Sequence, residues 1–163
     1  MPLRRMLVCV AVLSCAVPAA AAARAPWATV NVCDTASNPD TIGIRGSMPA
    51  GGAPGAAELF MRFQLQYERS DGTWRALSSG GDSGFISAGR ARARGTRQAG
   101  HSFTVSPPRA GSVYTLRGLV TFEWRAKDST VLRRARKRTT AGHRSTAGAD
   151  PAGFSAAECT ITA

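Results

Sequence analysis

Two runs of arginine at two-residue spacing are the residues of this 163-residue chain best suited to chemistry. Arg90, Arg92 and Arg94 form the first, with Arg97 just beyond; Arg134, Arg136 and Arg138 form the second, with Lys137 among them and Arg133 before them. In extended chain, residues two apart share a face. Either triad then presents a row of planar, forked donors suited to phosphate, carboxylate or sulfate groups. Such binding works by charge pairing with counterion release, so it weakens steeply with salt. The competing reading is a solvated arginine face that keeps sheet edges from pairing. The formal charge is +11, and Lys127 and Lys137 are the only lysines. Arginine and alanine richness of this kind also follows from a GC-rich genome, so composition alone does not choose between the two.

Three other constellations carry less. Gly81-Asp82-Ser83-Gly84 resembles the nucleophile tetrad of chymotrypsin-like proteases. That chemistry needs a histidine base, an orienting carboxylate and an oxyanion hole. His101 and His143 both follow the serine, where that family places its histidine before it, and Phe85 stands where it has a second glycine. A Gly/Ser turn entering a strand explains the same residues. The two histidines and ten scattered carboxylates form no cluster at zinc or calcium spacing. Glu123 and Asp128 flank Trp124, a combination that suits glycoside hydrolysis. Glu123 falls on the strand face opposite Trp124, however, so a cross-strand ion pair with an arginine is expected there. No cofactor motif and no metal site are read from the chain.

The first 23 residues read as a secretory signal: Arg4 and Arg5, an apolar run from Met6 to Val17, then small residues Ala19 to Ala23. Cleavage is expected after Ala23, with Ala25 the second site. A lipid anchor at Cys15 is the minor alternative. Removing two arginines takes the charge from +11 to +9. No later stretch approaches the ~20 apolar residues of a membrane span. The expected location is outside the cytoplasm, in the envelope or the medium. Two cysteines remain, Cys33 and Cys159, and in an oxidising compartment they are expected to pair. The closed loop of about 125 residues is worth about 4–5 kcal/mol on the chain-entropy account.

The elements that must position these residues are strands. Leu59, Met61, Phe63, Leu65 and Tyr67 alternate with Phe60, Arg62, Gln64, Gln66 and Glu68, one face buried and one wet. Ser70-Asp71-Gly72 turns the chain into a partner at 73–77. Val113 to Arg125 places Tyr114, Leu116, Gly118, Val120, Phe122 and Trp124 on one face, and Thr115, Arg117, Thr121, Glu123 and Arg125 on the other. A turn at 126–129 leads into 130–138. Shorter strands are expected at 28–33, 41–45, 84–88, 101–106 and 156–162. Breakers lie between them, among them Asn38-Pro39-Asp40. Residues 139–158 read as a flexible loop. The prediction is an all-β antiparallel β-sandwich forming one domain over residues 24–163.

Arg62 to Tyr67 with Asp71 to Trp74, and Phe103 to Val105 with Tyr114 to Arg117, resemble the central strands of a fibronectin type III or immunoglobulin-like domain. Tyr114 matches the family's corner tyrosine. The resemblance covers roughly residues 28–138. It lacks the tryptophan of the second strand, where Ile42 to Arg45 stands, and the antibody-type cysteine pair. The chain also resembles small exported proteins of actinobacterium-like genomes. Such a sandwich implies binding or spacing and no particular reaction. The expectation is therefore a secreted, non-catalytic module binding an anionic envelope polymer. A protein–protein adhesion module engaging a surface protein is the alternative, and a small hydrolase using Ser83 or Glu123 a lesser one. Specific nucleic-acid recognition is not expected.

Overall fold

The structure is a computed structural model that describes residues 25–52, 56–143 and 145–163. The expected signal segment lies outside the described residues. Nine strands follow: β1 (Trp27–Thr35), β2 (Asn38–Pro49), β3 (Glu58–Glu68), β4 (Trp74–Ala76), β5 (Asp82–Arg90), β6 (Thr96–Thr104), β7 (Val113–Arg125), β8 (Val131–Arg138) and β9 (Cys159–Thr162). Among the described residues there is no helix, and so none long and apolar enough to cross a membrane. Every expected strand is present. The Asn38-Pro39-Asp40 breaker instead opens β2: Asp40 takes a positive φ of 52° and its N–H donates to Asp34 Oδ1 at 2.8 Å, so the irregular backbone stays paired.

The strands form two antiparallel sheets. One has the order β1-β2-β6. In the other, β3 and β7 pair over Glu58↔Arg125 to Tyr67↔Leu116. The free edge of β3 is shared by β4 and β5, and that of β7 by β8 and β9. Val30, Ile42, Ile44, Met48 and Phe103 of the first sheet share one core with Leu59, Met61, Phe63, Leu65, Val120, Phe122 and Trp124 of the second. Each such side chain contributes roughly 1.5–3 kcal/mol on burial. The sheets approach so closely at Gly118 that a Cβ there would lie 2.7 Å from Ile44 Cδ1 and 2.8 Å from Thr139 Cγ2. The buried Trp124 donates its indole N–H to the Pro49 carbonyl at 3.2 Å.

The described residues of 139–158, expected as a flexible loop, are tethered along the free edge of β1. Thr140 N donates to Ala28 O at 2.8 Å, Val30 and Ala156 exchange backbone bonds of 2.9 and 3.0 Å, and Asp150 N donates to Asn31 O at 2.8 Å. The Asn31 amide donates to Gly148 O at 2.7 Å, and the Trp27 ring stacks on His143 with centroids 4.2 Å apart. This strap buries Thr29 and Asn31, whose alternation with Val30 and Val32 would ordinarily mark a wet face. The Asp150 carboxylate accepts from Thr35 at 2.5 Å and Asn38 at 2.9 Å, which holds its pKa below the usual range. Burial lowers that of His143. The Cys33–Cys159 disulfide joins β1 to β9, as the pairing of the two cysteines led one to expect.

Two outcomes follow. Replacing both Cys33 and Cys159 by Ser should lower the unfolding free energy by about 4–5 kcal/mol in urea melts, because a 126-residue separation is no longer closed in the unfolded chain. The strap should also weaken with acid. Both lowered pKa values mean that the detached strap binds more protons, His143 below about pH 6.5 and Asp150 below about 3.9. Amide exchange at Val30 and Ala156, corrected for intrinsic rates, should be slowest near neutrality and accelerate in those two windows.

Candidate anion-binding face

The inner faces of β3 and β7 are committed to the core, so their alternate residues point outward, and strand register sets these in rows. One row reads Ser87–Phe60–Glu123–Arg134 across β5, β3, β7 and β8. The next reads Phe85–Arg62–Thr121–Arg136. The third reads Asp82–Gln64–Leu119–Arg138. Flanking rows hold Arg90–Glu58–Arg125 at one end and Gln66–Arg117 at the other.

Glu123 lies at the centre of the first row and is fully buried despite facing outward. Arg125 Nε and Nη2 reach its Oε2 at 2.7 and 2.6 Å. Arg134 Nε and Nη2 reach its Oε1, both at 2.6 Å. The expected cross-strand ion pair therefore forms, and one carboxylate holds two guanidiniums. Arg125 is also sandwiched between the Phe60 and Phe85 rings, its Cζ 4.5 and 4.3 Å from their centroids. Aromatic rings and arginine stems thus seal the carboxylate from water. A buried charge is tolerated when fully paired in this way.

Asp82 plays the corresponding part for Arg62, accepting from Nε at 2.8 and 3.0 Å and also from Nη2. The Arg62 guanidinium holds the Asp82 carboxyl below the usual carboxylate range, and Asp82 in turn raises Arg62. Arg117 lies 3.9 Å over the Trp74 ring and donates to Gln66 Oε1 at 3.0 Å. Burial, and then the positive charge of Arg138, lower its pKa. Arg136 and Arg138 have no carboxylate partner among the described residues. The face holds Arg62, Arg90, Arg117, Arg125, Arg134, Arg136 and Arg138 against Glu58, Glu68, Asp82 and Glu123, an excess of three positive charges. Between Arg62, Thr121, Arg134 and Arg136 it dips into a depression of about 270 Å³.

The two expected rows fare differently. Arg134, Arg136 and Arg138 share this outer face. Arg90, Arg92 and Arg94 do not form a row: β5 ends at Arg90, and Gly89 and Gly95 take positive φ values of 94° on either side of the turn. Arg90 sits at the far edge of the same face, 3.9 Å from Glu58. Arg92 and Arg94 lie in the connection to β6, where Arg92 N donates to Ala50 O at 3.0 Å. Arg62, Arg117, Arg125, Phe60, Phe85 and Trp74 were not among the expected binding residues. Their signal was the wet-face alternation; the strand pairing that assembles them was not readable.

The remaining candidates take structural positions. Ser83 Oγ accepts from Phe63 N at 2.9 Å and donates to Gly84 O at 2.7 Å, filling the irregularity where β5 slips register against β3 between Arg62 and Gln64. Asp128 accepts from Thr130 N at 3.0 Å in the β7–β8 turn. His101 lies within β6, edge-on to Phe103. Among the described residues no group of His, Cys, Asp and Glu is arranged to hold a metal. Tyr114 is 39% exposed, and its hydroxyl bonds to none of the described residues, so the corner hydrogen bond is not made. With Tyr67, Leu77 and Val105 it lines a second concavity, of about 610 Å³, where β3 and β7 outrun the shorter sheet.

Fold and face together define an all-β, disulfide-stapled, sandwich-like domain with a preorganised arginine surface. No protein-family model matches the chain, and no curated protein matches its sequence.

Glu123→Gln should cost about 1.5–3 kcal/mol in urea melts, since charge-assisted bonds to a buried acceptor are lost. Arg134 is 59% exposed, so Arg134→Ser should cost less, below ~1 kcal/mol.

Proposed function

We propose that the protein is an exported, non-catalytic binding module of the cell envelope or medium that engages anionic polymers through the outer face of its larger sheet. The observation that carries this is Arg136 and Arg138, with no carboxylate partner among the described residues, beside four arginines already held in place by carboxylates, aromatic rings or an amide. A face kept only for solubility has no need of buried Glu123 to orient its arginines. The strand order supports an immunoglobulin or fibronectin type III-like topology. It sets the first, second and β6 strands against β3, β7 and β8, as those families set A, B and E against C, F and G. β9 and the β1–β9 disulfide are additions to that plan. Export is supported by the signal-like leader and the cysteine pairing.

The test is retention of the chain from residue 24 onward on isolated cell envelopes across a salt series. With three charges neutralised, binding should fall roughly 40-fold between about 50 and 200 mM salt. Replacing Arg134, Arg136 and Arg138 together by Ser should weaken retention and flatten the salt slope. Replacing Arg92 and Arg94, which lie off the face, should change little. Unchanged retention in the triple variant defeats the proposal. Retention that survives high salt favours the alternative, adhesion to a surface protein. That reading is supported by the exposed Tyr67, Val113 and Tyr114 at the open end of the sheets.

A further inference from the structure

We propose that the depression at the centre of this face is a subsite for one tetrahedral oxyanion, a phosphoryl or sulfuryl group, an inference that rests on the anionic-polymer reading and specifies it. Arg62 and Arg136 flank Thr121 in one cross-strand row, and Arg134 stands in the next. All four line the same hollow of about 270 Å³. Three arginines therefore line one hollow from strands on both sides of β7.

Two of the three are held before any ligand arrives. Asp82 occupies the Nε and Nη2 edge of Arg62, and Glu123 the same edge of Arg134. Both Nη1 groups are left without a partner among the described residues. Ordering these long side chains in advance removes much of the entropy cost of binding. Glu123 also lines the hollow; its oxygens are bonded to Arg125 and Arg134, and those of Asp82 to Arg62, Gln64 and Gly84, so both carboxylates already face their arginines and their charge is counted against the site.

Charge and shape select the group. Arg62, Arg125, Arg134 and Arg136 against Asp82 and Glu123 leave an excess of two positive charges around the hollow. A tetrahedral oxyanion carries oxygens enough for all three lining arginines. A planar carboxylate has two and leaves one donor set unmet. The Phe85 ring, 5.9 Å from Arg62 Cζ, forms one wall and reduces competition from water.

The experiment titrates inorganic phosphate, inorganic sulfate, dimethyl phosphate and acetate into the purified oxidised protein at low salt. It follows the amide resonances of Arg62, Thr121 and Arg136. Phosphate and sulfate should move these resonances along one saturable curve, with acetate at least tenfold weaker. Arg136→Ser should weaken phosphate at least tenfold, and Arg138→Ser, outside the hollow, less than twofold. Both positions are exposed, so both variants should fold, as the remaining spectrum will report. Dimethyl phosphate, which like acetate has only two unesterified oxygens, should bind at least tenfold more weakly than phosphate, and its binding as well as phosphate overturns the three-guanidinium subsite. Binding of inorganic phosphate alone supports it with a free or terminal phosphate. Acetate binding equally well overturns it. So does the absence of saturable shifts while salt-sensitive envelope retention persists, which leaves the broader face standing. Loss of both overturns both.

Discussion

The pairing of β3 with β7 is the constraint on which the rest of the molecule depends. Ten residues of β3 sit opposite ten of β7 without a bulge. Because side chains alternate, that one register sends Leu59, Met61, Phe63, Leu65, Val120, Phe122 and Trp124 inward. It sends Phe60, Arg62, Gln64, Thr121 and Glu123 outward in the same stroke. A slip of one residue would exchange the two sets, exposing the core and burying the arginines. Core stability and the chemistry of the outer face are therefore set by a single geometric choice. The cost of burying arginine is what makes the register secure.

Charge on the outer face is organised by two carboxylates. A row of arginines alone would repel itself and spread into solvent. Glu123, sealed beneath Phe60, Phe85 and the stems of Arg125 and Arg134, draws two of them together. Asp82 fixes Arg62 and also caps the turn at Gly84, so the Gly-Asp-Ser-Gly stretch ties the β5 edge to the face. The arginines left over, Arg136 and Arg138, lie beside this scaffold. Two carboxylates thus hold three arginines in place, and the two beside them have no carboxylate partner among the described residues.

The smaller sheet is protected in another way. Its β1 strand carries polar residues on the side away from the core, and the strap over 140–157 meets them with hydrogen bonds in place of water. The strap ends beside Cys159, so the disulfide and these bonds hold the same two segments of chain together.

Much of the architecture could be read directly from the sequence. Period-two alternation over 59–67 and 113–125 located the two central strands, since a half-buried sheet imposes that pattern on any sequence that forms one. The two cysteines left after the leader, Cys33 and Cys159, one near each end, led to the disulfide. Glu123 was rightly set on the strand face opposite Trp124, and a cross-strand ion pair with an arginine was anticipated there. Tertiary structure alone decided which strands lie side by side, because pairing between distant segments leaves no local periodicity. For that reason Arg62, Phe85 and Arg136 could not be grouped in advance, and Arg92 and Arg94 could not be separated from Arg90. Burial of Thr29 and Asn31 was hidden for the same reason: their covering partners lie more than a hundred residues away along the chain. The sequence by itself determined which faces are wet and which are dry. Only the fold decided which wet residues meet, because a side chain's partner across a sheet depends on strand order and register, and these are settled by the whole core at once.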